Sequence, residues 1–529
     1  MDRRQFIRSS ALASAGSLVM PGWASPLLSR FLRDNRANDR ILVVVQLFGG
    51  NDGLNTVIPI DQYDMLSQLR ANILIPEADT LLLDGADGAT RLHPSLGGLR
   101  NLWDNGKLRI IQSVGYPAPN FSHFRSTDIW ETGSSGNQLL HDGWLGRYLG
   151  EFYPDFPVGY PNVDVPDPIA IRVGGGIGLG LQYHGRAMAT SVNNTENLQA
   201  IAGTMFQDPV PPGCSGDKLA FVRNMIRQTD LYGAVIESAA GLPSCTHVPL
   251  YPTGNQPGAT LANALKIVAN LICGGLGTRI YWVSDTGFDT HAQQVASGNT
   301  TQGTHADLLK GVGDAIHAFQ QDLQQLGVSD RVLGMTFSEF GRRIKSNNSK
   351  GTDHGAAAPL FLFGDHVIPG ILGENPQIAS DTDGQTNLPM QYDFRSVYAS
   401  VLREWFCLDE ARTTQVLLGE HPVLPIIQPQ NCLPVSVPEL ETSSQLVLDI
   451  SPNPFTTHTK VTFNSILPGH VLMQVFNAQG QLVAVPVNGH LAQGRHHIEL
   501  DLEAMPNGIY YCRVQNGPYQ AVRNMAKVR

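Results

Sequence analysis

Apolar residues run along this chain in two alternating rhythms between about Ile41 and Gln428. Short, nearly continuous runs read as buried strands: ILVVVQL at 41–47, LRIIQSVG at 108–115, RIYWVS at 279–284, RVLGMTFS at 331–338 and PLFLFG at 359–364. Between the third and fourth, Leu308, Leu309, Val312, Ile316, Phe319, Leu323 and Leu326 recur at helical spacing, and Gly327 follows where that helix should stop. Residues 279–338 therefore predict one complete strand–helix–strand unit. Strands apolar on both faces, joined by helical crossovers, predict an α/β fold: a mostly parallel sheet with helices on both faces. The run LANALKIVANLICGGLG is interrupted by Lys266 and reads as a core helix, so no segment of the mature chain is expected to span a membrane.

The pattern changes twice. From 151 to 260 the chain is rich in proline and glycine, which predicts an insertion or lid beside the sheet; the glycines at 174–180 fit no nucleotide-binding register. Beyond a Pro/Ser/Thr-bearing linker at 429–447, short alternating strands at 448–529 predict a small all-β sandwich. The α/β core then occupies 36–428.

A net charge of −10, with no Lys/Arg cluster to oppose it, excludes a nucleic-acid groove. Six cysteines without CxxC spacing exclude a zinc–thiolate site. The N-terminus is more telling: Arg3 and Arg4 precede a short stretch of small, weakly apolar residues that ends near Ala24. Residues 1–25 resemble a twin-arginine signal peptide, which implies the twin-arginine translocase as a partner and an export route through the periplasm. Export permits disulfides, and Cys214–Cys245 or Cys407–Cys432 would close loops.

In a parallel α/β sheet, ligands bind beyond the carboxyl ends of the strands. Just past the first four strand runs stand Asn51 and Asp52, then Ser122, His123, Arg125 and Asp128, then Asp285, Asp289 and His291, then Glu339, Arg342, Arg343, Asp353 and His354. Each alone has an ordinary reading as a turn former, cap or ion-pair partner. Their convergence at one end of a sheet offers the mixed oxygen and nitrogen donors that divalent cations take. Asp285 reads as a strand-end turn residue.

Two resemblances extend this reading. SPNPF at 451–455, VFNAQGQLV, MPNGIYYCRV and a basic NMAKVR terminus resemble the C-terminal sorting domain of type IX secretion. That likeness implies the type IX machinery as a partner and delivery to the cell surface or medium. VVQLFGGNDGLNTVIP, HFRSTDIWETG, GFDTH, TFSEFGRR and GTDHGAAAPLFLFG together resemble the bacterial family called domain of unknown function 1501, related to the alkaline phosphatase and sulfatase superfamily. The resemblance implies a divalent metal ion (Zn, Mg, Mn or Ca) held by Asp52, Asp289, His291, Glu339 and His354, with Phe340 where a further ligand would stand. It implies Ser122, ahead of Ser126, as nucleophile, His123 as proton donor or ligand, and Arg125 or Arg342 on the equatorial oxygens. The expected function is hydrolysis of phosphate or sulfate esters; the alternative is a non-catalytic surface protein whose degenerate site binds a ligand.

Overall fold

The computed structural model describes residues 39–83, 85, 88–162, 164–194, 210–429, 448–465, 468–477, 482–503, 505–516 and 519–528. The expected signal at 1–25 and the linker beyond Pro429 lie outside these residues. The described residues fall into two compact units, 39–429 and 448–528.

Nine strands build the sheet of the first unit: β1 (Ile41–Phe48), β2 (Leu108–Gly115), β3 (Ala170–Val173), β4 (Thr190–Val192), β5 (Ile280–Thr286), β6 (Val332–Phe337), β7 (Ala358–Phe363), β8 (Gly370–Leu372) and β9 (Tyr392–Asp393). Their order is β8–β2–β7–β6–β1–β5–β3–β4, with β9 also paired to β2. β1, buried along 41–47, is central because its residues are apolar on both faces. It lies parallel to β5 on one side and β6 on the other, with Val44 opposite Trp282 and Met335. The expected β5–helix–β6 unit is present, and β1 runs between its two strands.

Against the parallel pattern, β7 is antiparallel to both β6 and β2. No helix intervenes between β6 and β7, so the chain returns directly beside itself, as only an antiparallel neighbour allows. The stretch expected as an insertion beside the sheet contributes β3 and the edge strand β4. Their short runs AIRV and TSV are too brief to stand out in sequence, and AIRV runs straight into Gly174–Gly176.

Helices pack on this sheet: α1 (Gly97–Asp104), α2 (His123–Thr132), α3 (Trp144–Phe152), α4 (Cys214–Ala240), α5 (Ala259–Cys273) and α6 (Thr304–Gln325). On α6, Leu309, Val312, Ile316, Phe319 and Leu323 are buried, as their spacing requires. No helix among the described residues is long and apolar enough to cross a membrane. Cys245 bonds to Cys273, not to Cys214, which is free and exposed. The reason is distance: α4 separates the two, and its 27 residues span about 40 Å. In the alternative pair Cys407–Cys432, Cys432 lies outside the described residues.

The second unit is the expected sandwich. Leu448–Ser451, His458–Ser465 and Gly494–Asp501 form one antiparallel sheet; Leu482–Leu491, Gly469–Asn477, Gly508–Asn516 and Tyr519–Lys527 form the other. Val461, Phe463, Met473, Val475 and Val514, drawn from both sheets, share one core.

Candidate metal centre

Four loops at the carboxyl end of the sheet bring the polar groups together. β1 ends in Gly49 and Gly50, both at positive φ. A Cβ at Gly49 would stand 2.3 Å from the Asp289 backbone nitrogen, and one at Gly50 would stand 2.4 Å from the Phe340 ring. Glycine is therefore required for this turn to pass so close to the loops after β5 and β6. Asp289 and His291 follow β5, Glu339 and Phe340 follow β6, His354 lies on the β6–β7 connection, and His123 opens α2.

Three imidazoles and one carboxylate converge. His291 Nε2 lies 2.9 Å from His354 Nε2, and these two nitrogens lie 3.2 and 3.3 Å from Asp289 Oδ1. His123 Nε2 lies 3.4 Å from Asp289 Oδ2, and the His123 and His354 ring centroids are 4.4 Å apart. Each ring is oriented by a separate acceptor at its other nitrogen. His123 Nδ1–H donates to Glu339 Oε1 at 2.7 Å, His354 Nδ1–H to the Phe121 carbonyl at 2.7 Å, and His291 Nδ1–H to Asp353 Oδ1 at 3.2 Å. With the Nδ1 positions occupied, the Nε2 lone pairs of all three rings face the cluster. Phe340, 1% exposed, packs its ring against His123 and His354 from behind, at 4.9 and 4.6 Å.

The charges around the cluster are fixed from below. Arg342 is buried and spends its guanidinium on the carbonyls of Gly49, Gly50, Phe288 and Thr352 and on Asp289 Oδ1. Burial alone would raise the Asp289 carboxyl's pKa, but Arg342 and the nearby histidines hold it below the ordinary carboxylate range. Burial, with Arg342 and His123 nearby, lowers the His354 pKa and keeps that ring neutral. His291 Nε2 and His354 Nε2 face each other at 2.9 Å, and a cation held there would take both nitrogens as ligands in place of a shared proton.

The donor set fits a borderline divalent ion. A tetrahedral site with ligand bonds of the zinc type has ligand–ligand edges of about 3.3 Å. The separations among His291 Nε2, His354 Nε2 and Asp289 Oδ1, 2.9 to 3.3 Å, bracket that value, and the ligand atoms of His123, Asp289 and His354 all lie within 4.8 Å of one another. His123 Nε2, buried and without a hydrogen-bond partner among the described residues, is the unsatisfied donor that such an ion would occupy. Three imidazoles suit zinc-like ions and disfavour calcium or magnesium, which take oxygen ligands.

Of the five expected ligands, Asp289, His291 and His354 meet at this point; His123, expected first as proton donor, joins them. Glu339 is fully buried and reaches the cluster through His123, its Oε1 also accepting from the Gly49 N–H at 2.9 Å. Asp52 is engaged elsewhere: its Oδ2 accepts from Arg70 and, at 2.6 Å, from Gln294. Burial pushes the Asp52 carboxyl upward, yet Arg70, His305 and Gln294 together hold it below its usual range. Arg70 carries no sequence signal for this role, since nothing about its position just past the short helix Tyr63–Leu69 marks it as a partner of the residue after the first strand.

Ser122 is exposed at the N-cap of α2, between Phe121 and His123, and its hydroxyl makes no cap hydrogen bond. Ser126 is fully buried, donating to the Glu339 carbonyl and bonded to the Tyr116 hydroxyl at 2.8 Å, so it is no nucleophile. Arg125 reaches the Gln138 carbonyl and leaves Nη1 without a partner among the described residues; Arg343 Nη1 is in the same condition. Arg342 already donates to four carbonyls and to Asp289, whereas Arg125 and Arg343 each keep an Nη1 without a partner among the described residues, which adds Arg343 to the candidates for that role. Asp285 ends β5 opposite Leu47, accepts from the Thr286 N–H at 3.1 Å, and takes no part in the cluster.

Comparison with known proteins adds little sequence identity. No curated protein matches the chain. Among solved structures, a sulfatase from Pseudoalteromonas sp. is similar at 10% identity over 92% of this chain and 89% of that chain, with a TM-score of 0.33. A protein in the alkaline phosphatase superfamily from Vibrio parahaemolyticus is similar at 10% identity, 80% and 75% coverage and a TM-score of 0.29. The alkaline phosphatase of the Antarctic bacterium TAB5 is similar at 9% identity, 62% and 92% coverage and a TM-score of 0.24. Residues 254–417, which carry Asp289, His291, Glu339, Arg342 and His354, match the family of proteins of unknown function DUF1501, and residues 449–527 match the secretion system C-terminal sorting domain.

Proposed function

We propose that the chain is an exported, metal-dependent hydrolase of phosphate or sulfate esters, sorted to the cell surface by its C-terminal sandwich. The observation that carries the reading is the cluster itself: His123, His291 and His354 each spend Nδ1–H on a fixed acceptor and turn Nε2 toward the Asp289 carboxylate. These four residues would hold the ion. Bound there, a divalent ion supplies positive charge toward an anionic ester oxygen. Glu339, Asp353 and the Phe121 carbonyl keep the rings in the ligating tautomer. Ser122 is the candidate nucleophile because its hydroxyl is exposed, uncapped and flanked in sequence by two residues that touch the cluster. Arg125 and Arg343 retain the donors for equatorial oxygens.

The sorting-domain match supports secretion to the cell surface. The periplasmic route, through a twin-arginine signal and the type IX machinery, is the reading of the two terminal segments. A non-catalytic binding protein is the second reading, favoured by Arg70 in place of a cation at Asp52 and by Phe340 in place of a ligand. Metal analysis of the purified chain, followed by turnover of a panel of phosphate and sulfate monoesters, separates the two. The hydrolase reading expects a bound divalent ion and turnover, both lost in Asp289→Asn. Metal without turnover, or no affinity for any divalent ion, removes the hydrolase and leaves the binding protein.

A further inference from the structure

We propose that Asp52 is a positioning residue of the metal centre, acting through the Gln294 side chain on the two loops that carry the ligands. The inference rests on the metal-dependent reading above. Gln294 is fully buried, and both ends of its amide are engaged. Its Nε2 donates to Asp52 Oδ2 at 2.6 Å, and its Oε1 accepts from the Thr290 and Thr352 hydroxyls, each at 3.0 Å. Thr290 stands between Asp289 and His291, and Thr352 stands two residues before His354. One amide therefore ties the loop after β5 to the β6–β7 connection, the segments that supply Asp289, His291 and His354.

An amide has nearly the same shape either way round, and its partners decide which end is which. The two threonine hydroxyls can donate or accept, so they leave that choice open. Asp52, ion-paired with Arg70, can only accept, which turns Nε2 to the carboxylate and Oε1 to the threonines. Turned over, the amide would set Oε1 against the Asp52 carboxylate, acceptor against acceptor, in a buried place. The Gln294 backbone is held separately: its N–H donates to the Lys350 carbonyl at 2.9 Å, and its carbonyl accepts from the His305 N–H at 3.0 Å. Loss of Asp52 therefore frees the side chain and not the course of the loop, and the two threonines lose their common anchor. His291 should loosen most, because its ring is the most exposed of the three and its Nδ1 acceptor, Asp353, is itself exposed. A buried ion pair returns little net stability, so the use of Asp52 and Arg70 lies in what they orient.

Titration of the full-length chain and three variants with zinc, against a competing chelator, tests this without turnover. Asp52→Asn with Arg70→Met keeps an oxygen acceptor for Gln294 Nε2 and buries no charge; Asp52→Leu with Arg70→Met removes that acceptor. Zinc affinity should stay near wild type in the first and fall about tenfold in the second, the scale on which outer-shell partners act. Gln294→Met, which removes the bridge and leaves the Asp52–Arg70 pair, should show the same loss. With cobalt(II) as the probe, the visible absorption bands should keep their wild-type positions in the first variant and shift in the other two. Such a shift reports ligand geometry, which a loss of stability alone does not move. Equal zinc affinity in the two double variants, or wild-type affinity in Gln294→Met, overturns the proposal and leaves the metal centre standing. A wild-type chain that takes up no zinc overturns both together.

Discussion

The tautomer of each histidine at the cluster is set by one neighbour, so single acceptors should control metal affinity without touching the ion. Glu339→Gln removes the charge behind His123 while keeping the side chain's shape; divalent-ion affinity should fall about 10- to 100-fold, as measured by competition with a chelator. Asp289→Asn should lose more, and Asp285→Asn should change little, since Asp285 stands outside the cluster. A second residue-scale expectation concerns Asp52. Arg70→Met leaves its carboxylate buried without a counter-ion, a change that costs about 3–5 kcal/mol in denaturant unfolding. Adding Asp52→Leu should return much of that loss, because the pair's stabilisation mostly offsets its own desolvation. Nearby, burial lowers the His93 and His305 pKa values to about 3 and about 4. Their unfolded-state values are near 6.5, so below that pH the unfolded chain takes up protons that the folded chain refuses. Each should cost about 1.4 kcal/mol per pH unit as pH falls from about 6.5 toward its folded value. Unfolding free energies measured at pH 7 and pH 5 should show this loss, and His305→Gln should reduce it. Sequence pointed to most of the cluster because its residues sit just past strand runs. It could not show Arg70 beside Asp52, because a carboxylate after a first strand looks the same whether a cation or a guanidinium faces it.

At the scale of elements, apolar periodicity found the five long strands and α6, whose burial follows their spacing. It could not reveal β7's direction, which depends on the absence of a helix after β6. Nor could it reveal β3 and β4, which are too short to show a rhythm. Helix contacts were equally hidden, since they depend on which glycines face each other. On α1 and α6, a Cβ added to Gly98 would stand 2.1 Å from the Gly313 carbonyl oxygen. Gly98→Ala must therefore push the two helices apart despite its better helix propensity. It should destabilise the core by about 1–3 kcal/mol, seen as a lower denaturation midpoint, as overpacking does elsewhere. Gly97→Ala, next in sequence and facing open space, is the control and should be neutral or slightly stabilising.

On the scale of the whole molecule, the change of pattern near residue 430 was legible because a helix-rich rhythm gives way to short alternating strands. The hydrophobic clusters divide the same way: the largest draws its residues from Ile41 to Ile427, a smaller one from Leu54 to Leu388 belongs to the same unit, and another runs from Leu448 to Met525. No buried apolar residue of the first core belongs to the second, so removing the sandwich takes nothing out of the α/β interior. A chain ending before 448 should therefore keep the unfolding midpoint of the α/β unit and the metal affinity of its cluster. It should also fail to reach the cell surface, because the segment matching a sorting domain is gone. Fractionation of cells producing full-length and truncated chains, with calorimetric melting of both purified proteins, reads the two consequences separately. Surface delivery of the truncated chain would remove the sorting role from 448–529. A lowered midpoint would show that the sandwich stabilises the core as well as carrying its address.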